Sequence, residues 1–165
     1  MARKADPDAV TVFIGPCLAK RREGMDDEFV DYVLSVEDIG AFLIAKDVDV
    51  AKVAAAPDAT VPSASGRGFA ASGGVAEAVR IRLKHPEKLR AAVINGLTGN
   101  GMKQLANFGK MNAGTLPYTD QSPNLVEVMA CEGGCIAGPS VITNPKVASI
   151  QLKKYVEAGL ADPKN

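Results

Sequence analysis

Tryptophan is absent from this chain of 165 residues, and aromatic side chains make up only 5% of it. That leaves no platform on which nucleic-acid bases could stack. Neither sign of charge prevails, because 19 basic and 19 acidic residues cancel. That argues against binding to nucleic acid or to an anionic membrane by net electrostatic attraction. No apolar run reaches the roughly 18 to 20 residues that a membrane helix needs. The start, MARKADPD, has no apolar segment behind it and does not read as a secretory signal. Cysteine occurs three times, an odd number that does not suggest a disulfide framework. A reducing, cytoplasmic setting is the expectation that follows.

What is present is an alternation of short apolar runs and amphipathic stretches. Val10 to Ile14 is a nearly continuous, β-branched run of the kind found in buried parallel strands. It ends at Gly15-Pro16, which places Cys17 just past a strand's carboxyl end, where open α/β sheets hold their ligands. After the basic run Lys20-Arg21-Arg22, a polar loop is expected to lead to a second strand at Asp31 to Leu34. Ser35 with Asp38 three positions on predicts a capped helix, with Ile39, Leu43 and Ala45 on its apolar face and an end near 46–48. Residues 49–56 suggest a short alanine-rich turn, and 57–68, rich in Pro, Ser, Ala and Gly, a loop. Gly73-Gly74 opens a helix over 75–83 that His85-Pro86 stops. Leu89 to Ile94 and Leu125 to Met129 are the third and fourth strand candidates, with a helix over 101–107 between them. Asn144-Pro145 starts a last helix, with Val147, Ile150, Leu152 and Tyr155 as its apolar residues and an end near Gly159. Strands alternating with helices predict a single α/β domain over 1–165, with a mostly parallel four-stranded sheet flanked by helices.

Three soft ligands stand at the ends of these runs. Cys131 and Cys135 are four positions apart with Gly133 and Gly134 between them, and Cys17 follows the first strand. A helix would put the pair on one face. The glycines weaken such a helix but let backbone approach a bulky inorganic group closely. Lys20, Arg21 and Arg22 beside Cys17 are a setting that favours a thiolate. Iron–sulfur ligation accounts for this set, yet a lone C-x-x-x-C is a weak signal, and buried cysteine acting as a small hydrophobe is the ordinary case. A basic run is most often a solvated turn, and His85 beside a proline is more readily a surface residue or cap than a ligand. The stretch Ala71 to Val75 (ASGGV) lacks the lysine and spacing of a phosphate-binding P-loop.

Taken together, the two cysteine stretches are specific. P-C-x-x-K-x-x-E (Pro16, Cys17, Lys20, Glu23) resembles the second signature of the iron-only (di-iron) hydrogenases. E-x-M-A-C-x-G-G-C-x-x-G (Glu127, Met129, Cys131, Gly133, Gly134, Cys135, Gly138) resembles the third. The intervening GFAASGGVAEAV and AAVINGL are similar to the same family, so the resemblance covers almost the whole chain. It implies one lobe of the C-terminal catalytic domain of the large subunit. It further implies that Cys17, Cys131 and Cys135 ligate a 4Fe-4S cubane, with Cys135 also bridging to a di-iron subcluster that carries carbon monoxide and cyanide; together these form the H-cluster. By the same resemblance Lys20 donates a hydrogen bond to a cyanide, Met129 packs near the subcluster, and Glu23, which closes the second signature, joins the catalytic set.

The match has gaps. The family's first signature, T-S-C-C-P, is not found, and with it go a fourth cubane thiolate and a proton-relay cysteine; a cubane takes four thiolates, and this chain has three cysteines. Gly15 stands where many members have methionine, Glu132 replaces a proline, and Ala137-Gly138-Pro139-Ser140 replaces G-G-G-Q-P. The expected partners are the missing lobe or subunit and an electron carrier such as ferredoxin, with no nucleic acid and no membrane span. The isolated chain is expected to be inactive, and whether it carries the cluster on its own is left open by the sequence. A lobe without its sister should expose apolar surface and self-associate. Two other readings compete: a non-catalytic iron–sulfur sensory or interaction module, and a thiol-redox protein using Cys17 against the pair.

Overall fold

The computed structural model describes residues 2–54 and 61–161. Contacts divide the chain into two compact units, Met1–Ala59 with Gly138–Thr143, and Thr60–Ala137 with Asn144–Asn165.

The first unit contains α1 (Ala2–Ala5), β1 (Val12–Gly15), α2 (Ala19–Asp26), β2 (Tyr32–Ser35) and α3 (Val36–Ala45). β1 and β2 pair in parallel, with Val12 opposite Tyr32 and Gly15 opposite Ser35. Parallel neighbours need a crossover, and α2 is part of it. Gly24 permits the close approach of α2, since a Cβ there would overlap Val33. Phe13 and Val33 share one face of this sheet, on which Lys20, Glu23 and Gly24 of α2 also border a small cavity. Val12, Ile14 and Tyr32, on the opposite face by strand alternation, stay 46%, 51% and 61% exposed. Ser35 closes β2 and caps α3: its hydroxyl accepts from the Asp38 N–H at 2.9 Å, and Asp38 Oδ2 accepts from the Ser35 N–H at 2.7 Å. This is the reciprocal capping pair that the sequence predicts. Ile39 and Leu43 are half-buried as expected, whereas Ala45 lies in the open.

The second unit contains α4 (Ala64–Gly68), α5 (Gly74–Arg80), β3 (Ala91–Asn95), α6 (Gly99–Asn112), β4 (Leu125–Met129) and α7 (Pro145–Glu157), with short 3-10 turns at Pro86–Lys88 and Cys135–Ala137. β3 and β4 pair in parallel from Ala91 opposite Leu125 to Asn95 opposite Met129, and α6 lies in their crossover. Ile94, Ala76 and Ala78 form the buried apolar centre of this unit. Gly101 seats α6 close to it, because a Cβ there would come 3.0 Å from Ile94 Cγ2.

The α/β class and all four strands stand, but the sheet differs from the expectation. Among the described residues there are two two-stranded parallel sheets, not one of four strands. Periodicity marks where strands form but not which strands pair. Here each pair is closed by its own helical crossover, and among the described residues of 36–90 the helices α3, α4 and α5 intervene rather than a direct connection. The basic run Lys20-Arg21-Arg22 and the first part of the polar loop expected after it form the helix α2, which ends at Asp26. Its interior has no buried residue and hence no apolar stripe to betray it. Within the stretch read as a loop, Ser63 caps α4 by accepting from the Gly66 N–H at 3.2 Å. α6 runs longer than 101–107, because the Thr98 hydroxyl caps it ahead of the glycines. In α7 the inward residues are Ala148, Leu152 and Val156, while Val147, Ile150 and Tyr155 are exposed. Residues 49–54 of the expected alanine-rich turn do turn, with the Asp49 carbonyl accepting from the Lys52 and Val53 N–H groups. Residues 55–56 of that turn and 57–60 of the expected loop lie outside the described residues.

Candidate functional site

β4 ends at Met129, and the cysteine loop begins two residues later. Its base is tied to the end of β3: the Gly96 N–H donates to the Met129 carbonyl at 2.9 Å and the Leu97 N–H to that of Ala130 at 3.1 Å. The Asn95 side chain accepts from the Gly133 N–H at 2.7 Å. Gly133 and Gly134 both have positive φ, +90° and +89°. Two such residues in succession turn the chain in a way that side-chain-bearing residues rarely allow. Gly134 has a second reason to lack a side chain. It lies against the 70–72 backbone, where a Cβ would meet the Ala70 carbonyl oxygen and the Ser72 nitrogen, each at 2.6 Å. The Ser72 N–H in turn donates to the Gly133 carbonyl at 3.2 Å. Cys131 is thus presented just before a pinned glycine turn and Cys135 at the start of the 3-10 turn that follows it, rather than both on one α-helix face. Cys131 is half-buried and Cys135 exposed, and no disulfide engages them.

The turn against which Gly133 and Gly134 lie is also held by Glu127. This carboxylate, 7% exposed, accepts from the Gly73 N–H through Oε1 and from the Ala76 N–H through Oε2, both at 2.7 Å. The ASGGV stretch does gather N–H donors around an anion, but that anion is the chain's own glutamate, which closes the phosphate reading. In the sequence, Glu127 stands within a signature with no evident task. Its spacing within β4 carries no sign of the helix start it serves.

Cys17 belongs to the first unit and is half-buried. The carbonyl of its neighbour Pro16 accepts from the Ser140 N–H at 3.3 Å, and Ser140 is itself buried. The basic run has moved from a supposed turn onto α2, and each cation has a carboxylate partner. Lys20 pairs with Glu23 at 2.5 Å, Arg21 with Asp38 at 2.5 Å, and Arg22 with Asp26 at 3.0 Å. Glu23 therefore acts on Lys20 directly. The bonds from Ser35, and then Arg21, hold the Asp38 carboxyl below the usual carboxylate range. Gly15, in place of a methionine, leaves room for the Phe13 ring, whose Cε1 would lie 2.8 Å from a Cβ there. His85 is an exposed residue 3.3 Å from Glu87, in keeping with a surface role.

Among the described residues no three His, Cys, Asp or Glu side chains gather tightly enough for a single metal ion. The donors that remain suited to a larger inorganic group are the thiols. Two of them are offered by a loop whose glycines keep side chains out of its backbone contacts.

The family model described as iron only hydrogenase large subunit, C-terminal domain, matches residues 1–139. The chain belongs to that family. A curated relative, the periplasmic Fe hydrogenase large subunit of Nitratidesulfovibrio vulgaris (Hildenborough), is 28% identical over 174 aligned residues, covering 82% of this chain and 39% of the relative. A solved FeFe-hydrogenase structure, described for stepwise assembly of its H-cluster, matches with a TM-score of 0.58 and 21% identity over 91% of this chain and 53% of that one. The fold is thus that of the hydrogenase catalytic domain. The chain spans about two fifths of the curated relative and about half of the solved chain. Among the described residues no helix is long and apolar enough to cross a membrane. The cytoplasmic setting inferred from the sequence stands beside a relative described as periplasmic.

Proposed function

We propose that this chain is the part of an iron-only hydrogenase catalytic domain that supplies Cys17, Cys131 and Cys135 to an H-cluster, a 4Fe-4S cubane joined to a di-iron subcluster. The supporting observation is that the family match over residues 1–139 takes in all three cysteines together with Lys20, Glu23 and Met129. Bound there, the cluster would supply reversible interconversion of protons, electrons and dihydrogen. The chain's own residues position it. Cys131 and Cys135 would offer their thiolates from the loop after β4, and the family resemblance assigns to Cys135 the ligand role shared between the two parts of the cluster. Lys20 is a point-charge donor for an anionic diatomic ligand, and Glu23 sets its rotamer through their ion pair. Met129, half-buried at the end of β4, contributes a polarizable wall.

Whole-protein activity needs the remaining lobe or subunit, which brings the fourth thiolate and a proton relay, and an electron carrier such as ferredoxin. We place the protein in a reducing compartment, the cytoplasm, where its thiols stay available. The purified chain alone evolves no hydrogen from reduced viologen. Supplied anaerobically with ferrous iron and sulfide, it takes up an iron–sulfur chromophore that Cys17→Ser, Cys131→Ser and Cys135→Ser each diminish. A wild-type chain that binds no iron under these conditions, or one whose uptake is indifferent to all three substitutions, overturns the proposal.

A further inference from the structure

Two pieces of backbone meet beside the cysteine pair, and one side chain holds them in register. The turn 71–74 forms an antiparallel bridge to the loop, between Ala71 and Gly134. The Ser72 N–H donates to the Gly133 carbonyl, and the Ile136 N–H donates to that of Ala70. The same turn is also gripped by Glu127, through Gly73 and through Ala76 in the first turn of α5. Glu127 sits on β4 and Cys131 follows it by four residues on the same strand exit. The strand that carries the cysteines thus reaches across, fixes a turn, and then lays its own cysteine loop back upon that turn.

We infer that Glu127 is the positioning residue of the Cys131–Cys135 loop: its buried carboxylate, by clamping the 71–74 turn, sets where the two thiols stand. It touches no reacting group and acts through the turn. The chemistry favours a carboxylate at this position. Two N–H donors converge on two oxygens, and only an acceptor-only side chain satisfies both. An amide satisfies one and presents its own N–H₂ to the other donor. An aspartate offers the same pair of oxygens but, one methylene shorter, does not reach from β4 to the Gly73 and Ala76 N–H groups. Losing a bond leaves an N–H without its partner, buried at Ala76 and part-buried at Gly73.

The test uses Glu127→Gln and Glu127→Asp in the full chain, each first checked by circular dichroism for retained secondary structure. Amide exchange of the metal-free protein is the first readout. Loss of one such bond is expected to speed exchange about tenfold at Gly73 and Ala76, with a matching rise at Gly133 and Gly134 and none in β1 and β2. Anaerobic loading with ferrous iron and sulfide is the second, and this arm rests on the cluster reading above. Both variants are expected to bind less iron than wild type, and what they bind is expected to show a broadened electron paramagnetic resonance signal after reduction. Faster exchange confined to Gly73 and Ala76, with wild-type iron content and spectrum, would make Glu127 a helix cap alone and overturn the inference. Aspartate behaving like wild type would overturn it as well. If wild type binds no iron the cluster reading fails, and exchange at Gly133 and Gly134 still decides the role of Glu127. If Glu127→Gln does not fold, the same exchange is read in Glu127→Asp.

Discussion

At the scale of single residues, the arrangement depends on a few positions where one atom too many or too few is felt. Gly134 is the clearest. Its φ of +89° and the 2.6 Å approach of a would-be Cβ to the 70–72 backbone act together. Gly134→Ala is expected to cost about 2 to 4 kcal/mol, strain and backbone displacement combined, measured as a lower denaturant midpoint. A variant as stable as wild type would show that the turn relaxes freely. Asp31 is sensitive in another way. Its carboxylate accepts from the Thr11 N–H at 2.7 Å and the Thr11 hydroxyl at 2.8 Å, and it pairs with Arg3 at 2.6 Å. These bonds, the Thr11 backbone bond foremost, lower its pKa to about 2. A depressed carboxylate contributes stability that is complete above its unfolded-state value near 3.8 and is lost as pH falls through its folded value near 2. The first unit should therefore loosen between about pH 4 and pH 2. Asp31→Asn should flatten that part of the acid-unfolding curve, read by amide exchange of β1 and β2. An unchanged acid limb in the variant would assign the effect elsewhere.

Elements in this chain owe their ends to side-chain caps more than to strong apolar stripes. α3 begins where Ser35 and Asp38 bond reciprocally, and Ser35 is 4% exposed. Ser35→Ala is expected to destabilise the first unit by about 1 to 2 kcal/mol, since it also leaves the Asp38 N–H without its acceptor. Thermal unfolding within a degree of wild type would count against the cap. α6 offers the opposite experiment. Gly109 lies on its exposed surface, and a Cβ there meets nothing within 4 Å. Gly109→Ala should therefore stabilise by roughly 0.5 to 1 kcal/mol, through lower backbone entropy in the unfolded chain. A loss of stability there would mean that the position faces something other than solvent. Gly134 and Gly109 are the same residue type, yet opposite outcomes are expected, because only one is held against backbone.

For the whole molecule, the decisive feature is that the sheets among the described residues have two strands each. Parallel sheets are ordinarily covered on both faces, and two strands rarely suffice for independent stability. Here Val12, Ile14 and Tyr32 leave one face of β1–β2 between 46% and 61% exposed. The chain spans about half of the solved relative, so apolar surface that the rest of a catalytic domain would cover is expected to stand open. Concentration-dependent self-association with binding of a hydrophobic dye is the predicted behaviour. Replacing Val12 and Ile14 together with Thr should reduce both. A monomer at all concentrations, with no dye bound, would contradict this.

The strands were legible because β-branched apolar runs end at Gly-Pro, Asn-Gly or polar loops, and the cap at Ser35 was legible because its partner lies three residues on. The helix at 19–26 was not, since its solvated surface leaves no period to read. Apolar type misleads about the inward face of α7, because Tyr155 looks like core and instead lies against Arg67, whose guanidinium sits 3.9 Å from its ring. Within the candidate site, the cysteines stood out by residue type and spacing, whereas Lys20, Glu23 and Met129 were singled out by the family resemblance, and the family match spans the positions of all six. Glu127 did not declare its role, because its partners Gly73 and Ala76 are more than fifty positions away and are backbone groups without sequence identity.

By itself, then, the amino-acid order determined the strand positions and the family, because these rest on residue type and local spacing, and it singled out the thiols as candidate ligands. Only the tertiary structure decided that the strands pair as two separate couples, that the basic run is spent on carboxylates of α2 and α3, and that a buried glutamate holds the cysteine turn. Those outcomes depend on which distant backbone groups meet, and hydrogen-bond donors and acceptors are the same on every residue but proline.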